Sequence, residues 1–201
     1  MKLKFTPRIA LVVIAAMFVL PLALAWLMYN GTIDYKPAST RNLGQLVDPP
    51  LPMSWEELEA LAGDDEQNLE PADTFYEHWV ILYPVPDPCA ELCLSEVTDL
   101  RQIHRASGRH QSRIRIALLV PAGTPPAVLK SLRDNYAEFH LVVDPAGKLA
   151  KVLEQATAQD SSAYLIDPLG NIMMAYEAGA DPNHLKQDLK RLLTWSKLDE
   201  Q

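Results

Sequence analysis

Three hydrophobic patterns follow one another along the chain, and each predicts a different kind of structure. The first is unbroken: from Ile9 to Met28 there is no charged residue. About 20 apolar residues are enough for a helix to cross the hydrocarbon core of a bilayer. The second is irregular. Asn30 to Arg41 is polar and has the character of a tether. Leu43 to Val47 suits a short strand, and Asp48-Pro49-Pro50-Leu51-Pro52 should end it, because proline cannot donate to a ladder. Ser54-Trp55-Glu56-Glu57 has the form of a capping box and predicts a short helix from Trp55 to about Leu61. Gly63 to Asp73 is an acidic, proline-containing loop.

The third pattern is regular. Phe75 to Tyr83 predicts a strand that stops at the turn Pro84-Val85-Pro86-Asp87-Pro88. Leu92, Val97, Leu100 and Ile103 recur at helical spacing, on a helix ended by Gly108. Arg101, Arg105 and Arg109 repeat on its solvated face. Ile114 to Val120 is an apolar run of the buried, parallel kind. A loop over 121–126, a helix from Ala127 to about Tyr136, a strand from Phe139 to Val143 and a helix from Lys148 to about Gln155 follow. Ala163 to Ile166 and Ile172 to Tyr176 form a hairpin across the turn Asp167 to Asn171. Asp181 caps a last helix from Pro182 to about Trp195, with Leu185, Leu189, Leu192 and Leu193 as its buried stripe. Three parts result: an anchor over 1–29, a tether and acidic segment over 30–74, and an α/β domain over 75–201.

Charge orients the first part. Lys2, Lys4 and Arg8 precede the apolar run and no cation follows it closely, so the positive-inside rule puts the N-terminus in the cytoplasm. Trp26 and Tyr29 sit where an interfacial belt is expected. Ala23-Leu24-Ala25 offers a signal-peptidase site, but the apolar run continues through Trp26-Leu27-Met28, which favours an uncleaved anchor. Either way the domain is extracytoplasmic. The net charge of −8 argues against nucleic acid as a partner. Between Arg41 and Arg101 there is no Lys or Arg, while 14 of the 26 carboxylates lie there. That interval is a solvated acidic flank or a docking surface for a basic partner.

The candidate chemistry lies where the first strand of the domain meets its helix. Cys89 and Cys93, the only two cysteines, are four residues apart. That offset puts both sulfurs on one helical face, and the helix N-terminus favours a thiolate at the first. Such a pair can close a disulfide or clamp a soft metal ion. The same spacing also suits two buried small hydrophobes or an inert staple.

The order β-α-β-α-β-α-β-β-α, with the cysteines at the first strand-to-helix junction, is the thioredoxin pattern. Tyr83 through Cys93 resembles the cysteine loop of the Sco/SenC family, and Ala163-Tyr164-Leu165-Ile166-Asp167-Pro168-Leu169-Gly170 is similar to its late strand-and-turn signature. The resemblance covers roughly Phe75 to the C-terminus. It implies a thioredoxin-like domain anchored in the bacterial inner membrane with its C-terminal part periplasmic. It also implies assembly of cytochrome c oxidase, with an oxidase subunit or its assembly factors as partner and copper handled by Cys89 and Cys93. One departure is clear. Where the family carries a copper-binding histidine, this chain reads Asp160-Ser161-Ser162, so Ser161 replaces it. His78, His104, His110, His140 and His184 offer no obvious substitute. Thiol oxidoreductases of this fold resemble one another in a cis-proline before the late strand, and none lies between Gln155 and Asp167. Their usual spacing is also Cys-x-x-Cys. The expectation is therefore a Sco-like assembly factor using Cys89 and Cys93 as a redox pair or transient Cu(I) site. A non-catalytic interaction protein with a structural disulfide and an extracytoplasmic thiol oxidoreductase are the alternatives.

Overall fold

Strand β3 (Trp79–Pro84) is the axis of the domain, and all its residues through Tyr83 are buried. A strand apolar at successive positions suits a sheet covered on both faces. The structure is a computed structural model and describes residues 7–30, 41–61, 70–157 and 161–196. In it β3 pairs in parallel with β4 (Ile114–Leu119), which pairs in parallel with β5 (His140–Val143). On its other side β3 pairs antiparallel with β6 (Ser161–Ile166), and β6 with β7 (Asn171–Glu177). Strands β1 (Gln45–Pro52) and β2 (Glu59–Ala60) are the two edges, and the sheet order is β1-β7-β6-β3-β4-β5-β2.

Helices α3 (Glu91–Ala106) and α4 (Pro126–Asn135) make the crossovers that parallel neighbours require, and α5 (Lys148–Ala156) leads into β6. Strand alternation divides the core. The odd residues Trp79, Ile81 and Tyr83 face Cys93, Val97, Leu100 and Ile103 of α3 and the leucines of α6 (Pro182–Trp195). The even residues Val80 and Leu82 face Trp55, Phe75 and α5. The predicted order of elements from the first cysteine strand to the last helix is present. Asp181 caps α6 as expected, its carboxylate accepting from the Asn183 N–H at 2.9 Å.

The segment before Phe75 departs from its expectation. Residues from Asn42 onward belong to the same compact unit as the domain, so 42–61 is sheet and core rather than tether. The prolines do not break β1. It lies at an edge, pairs only with β7, and its register slips between Leu46 and Leu51, so Pro49 and Pro50 need not donate to the ladder. Ser54 does not cap a helix. Its hydroxyl donates to the Glu56 side chain instead, and only a three-residue 3₁₀ turn, Trp55–Glu57, forms before β2. Trp55 is wholly buried against Phe75, and that burial overrides the capping signal. Phe75 itself ends a short helix α2 (Pro71–Phe75), so the strand begins four residues later than predicted. Leu92 is 54% exposed, and Cys93 takes its place in the buried stripe. Leu192 is only half buried, while Asp188 takes a buried place on α6.

The other unit, Met1–Arg41, contains α1 (Pro7–Tyr29). None of its residues is buried, its mean hydropathy reaches 2.7, and it is long and apolar enough to cross a membrane. Lys2, Lys4, most of the tether, the acidic loop over 62–69 and Asp160 lie outside the described residues.

Candidate functional site

Strand β3 delivers the chain to the site. Beyond Pro84 the backbone leaves the sheet through Val85-Pro86-Asp87-Pro88, and Cys89 follows. The first helical residue is Glu91, so Cys89 precedes α3 rather than lying on it, which corrects the expectation of two sulfurs on one helical face. Cys93 is on the first turn, 3% exposed and packed in the core, and Cys89 is half buried. They form a disulfide with Cα atoms 5.3 Å apart. Ala90, at the N-cap, offers no side-chain acceptor to the first N–H groups of α3, next to Cys89 in the chain. Pro86, Asp87, Pro88, Ala90 and Leu92 are exposed around it.

The antiparallel register of β3 with β6, Leu82 opposite Tyr164, carries Ser161 and Ser162 to the same end of the sheet as Cys89. Position 161 therefore lies at the pole of the cysteines. The sequence reading missed Glu96. This residue stands three positions after Cys93 on α3, and its carboxylate accepts from the Tyr83 hydroxyl at 2.8 Å, the Ser162 hydroxyl at 3.1 Å and the Gly179 N–H at 2.7 Å. It thus ties the end of β3, the start of β6 and the turn before α6 to the helix bearing Cys93. The i+3 spacing was the available signal. Burial, and then the Glu96 carboxylate, push the Tyr83 phenol far above its ordinary pKa. Tyr83, Glu96, Leu100, Ser162, Glu177 and Leu185 line a cleft of about 400 Å³ open to solvent.

His78, His104 and His140 pack away from the disulfide, whereas His184 follows Asp181 and Pro182 of the cleft on the first turn of α6. His78 bonds the Tyr76 carbonyl at the far end of β3, His104 is buried late in α3, and His140 packs edge-on against Phe75. Met174 is buried and Met173 half buried. Among the described residues no group of three or more His, Cys, Asp or Glu side chains could hold a metal ion. The sulfurs can ligate only once the disulfide is reduced, and they then form a two-thiolate set suited to Cu(I).

No curated protein matches the chain in sequence. Among solved structures, a secreted thiol-disulfide isomerase of Corynebacterium glutamicum is similar at 16% identity, with 80% of this chain and 96% of that one covered and a TM-score of 0.57. Copper-bound ScoI of Arabidopsis thaliana is similar at 14% identity, over 71% of this chain and all of that one, with a TM-score of 0.53. Copper-bound yeast Sco1 is similar at 16% identity, over 77% and 90%, with a TM-score of 0.51. At such identities the likeness is one of fold, and the fold is thioredoxin-like. Residues 79–196, more than half of the chain, match the family described as transmembrane-like, thioredoxin-like, C-terminal domain, and the chain belongs to that family.

Proposed function

We propose that this protein is a Sco-like assembly factor for cytochrome c oxidase. It is held by α1 in the bacterial inner membrane with its thioredoxin-like domain in the periplasm. Its partner is an oxidase subunit or another assembly factor. The carrying observation is the Cys89–Cys93 disulfide at the carboxyl end of the central strand, with one sulfur half exposed and the other buried. In open α/β sheets that end is where ligands and clients are met.

The pair works as a redox couple. A partner thiolate attacks the accessible sulfur, the Cys89–Cys93 bond breaks and a mixed disulfide forms. The partner's second thiolate resolves it, leaving the partner oxidised and Cys89 and Cys93 as thiols. Two electrons and two protons have then passed to the pair. The N-terminus of α3, with no side-chain cap, favours the thiolate at Cys89. As cargo, Cu(I) is taken between the two thiolates with release of both protons. Cu(II) is held poorly, because Ser161 supplies no imidazole.

Titration of the reduced full-length protein in detergent with Cu(I) and Cu(II) tests this reading. One Cu(I) should bind, and Cys89→Ser or Cys93→Ser should abolish it, while Cu(II) binds weakly. Reversible reduction without Cu(I) binding would move the protein to the thiol oxidoreductases. A pair that resists reduction in the folded state would make it a staple.

A further inference from the structure

Carboxylates crowd the cysteine end of the strands and arginines the other, where exposed Glu77, just before β3, is also found. Asp87, Glu91, Glu96, Glu177 and Asp181 cluster at the end where Cys89 lies. At the other end, α3 runs out into the 3₁₀ segment Gly108–Arg113 and then β4. From Arg101 to Arg133 there are seven Lys or Arg residues and no carboxylate. Arg105 and Arg109 are exposed at this pole. Arg115 donates to the backbone carbonyls of Ser112 and Ile114 rather than to a carboxylate. His104, Arg109, Gln111, Ser112 and Arg115 line an open basin of about 960 Å³ there. The acidic member of that basin is Glu138, which is paired with Arg101 at 2.7 Å and Arg105 at 3.4 Å.

A second observation falls at the same pole. Helix α6 ends there, fastened by the Arg113 guanidinium to the carbonyls of Leu193 and Ser196 at 2.9 and 3.0 Å. Between those two residues Trp195 stands 85% exposed. A large indole in water beside a cationic surface is the combination that suits a bilayer interface: the ring sits at headgroup level and the cations meet the phosphates.

We propose that this basic pole docks on an anionic lipid surface, with Trp195 in the headgroup layer and Arg105 and Arg109 on lipid phosphates. The inference rests on the membrane-anchored reading above. Residues 30–41 span at most about 40 Å fully extended, so a domain anchored by α1 never leaves the neighbourhood of a bilayer. That is why lipid is the occupant rather than an acidic protein. Docking this way turns the acidic pole and Cys89 away from the membrane, toward clients.

The test uses the full-length protein in nanodiscs of phosphatidylcholine with brominated chains, with and without phosphatidylglycerol. Trp195 emission is isolated by difference from Trp195→Phe. It should be quenched in the anionic discs, unquenched in the zwitterionic ones, and released in about 1 M salt, where screening acts within about 3 Å. Arg105→Gln combined with Arg109→Gln should lose the quenching. The lipid and salt arms need no variant at these arginines. Quenching of Trp26 reports the anchor itself. If Trp26 is quenched while Trp195 is not, or Trp195 is quenched equally in both discs, the docking is overturned and the anchor stands. If neither is quenched, both fail. Protection of Gly108–Arg113 from hydrogen exchange by an added acidic protein but not by lipid would also overturn it.

Discussion

Ser161 is the residue on which the copper chemistry turns. It opens β6, opposite Glu177 of β7, at the pole of the disulfide. Ser161→His in the reduced protein should raise Cu(II) affinity clearly and produce a thiolate-to-copper absorption band absent from the parent, because imidazole suits Cu(II). Stability should change by no more than about 0.5 kcal/mol, since residue 161 lies at the start of a strand and is not fully buried. A folded variant with no gain would show that position 161 does not face the sulfurs. His104 makes a different demand. Burial lowers its pKa, opposed in part by backbone carbonyls and the Glu138 charge. The folded state therefore takes up this proton less readily than the unfolded chain, whose histidine titrates near 6.5. Its contribution to stability is present above that pH and is lost as the pH falls toward the lower folded value. Thermal midpoints between pH 7.5 and 5 should fall more for the parent than for His104→Gln. Parallel curves would exclude His104 as the cause.

At the level of elements, β1 is held by more than its ladder. The Asp188 carboxylate, buried on α6, accepts from the N–H groups of Leu43 and Gly44 at 2.8 and 2.9 Å and from the Tyr176 hydroxyl at 3.3 Å. Gly44 is required there: a Cβ would come within 2.5 Å of the Tyr176 ring. Asp188→Ala leaves these donors without the carboxylate, and unsatisfied buried groups cost about 1–3 kcal/mol each. The variant should lose about 2–4 kcal/mol in chemical denaturation, with faster hydrogen exchange confined first to 42–52. Unchanged exchange in β1 would mean that the edge pairing alone secures it. The turn Asp167 to Asn171 is built on the same logic. The Asp167 carboxylate accepts from the N–H groups of Leu169 and Asn171, and Gly170, at φ +88°, sits against the Met53 carbonyl. This turn locks the hairpin to the segment leading from β1.

Across the domain, Asp87, Glu91 and Glu96 of one charge block lie at the cysteine end of the strands and Arg105, Arg109 and Arg115 of the next lie at the other, where Glu77 also falls. The chain from 42 to 100 has no cation and the chain from 101 to 133 has no anion, and α3 spans the boundary between them. Carboxylates near the Cys89–Cys93 disulfide, Asp87 and Glu91 among them, favour basic surfaces over acidic ones, with an effect that salt weakens. The membrane-length helix and the domain are joined by a short polar segment, so reach as well as charge limits which partners the site can meet.

From β3 onward the fold was legible because its signals are local. Apolar runs of strand length, leucines at helical spacing, Asp181 with Pro182, and the proline turn before Cys89 each act within a few residues. The membrane-length helix was legible for the same reason. What tertiary structure alone decided was set by distant contacts. Pro49 and Pro50 read as breakers, yet an edge strand bonded on one side tolerates them. Ser54 to Glu57 reads as a capped helix, yet Trp55 gains more by burial against Phe75 than a short helix offers. Glu96 reads as one carboxylate among 26, and only the meeting of β3, β6 and the turn at Gly179 around it makes it part of the site. Local propensity is encoded in neighbours along the chain. Burial and hydrogen-bond satisfaction depend on residues far away in sequence, which only the folded chain brings together.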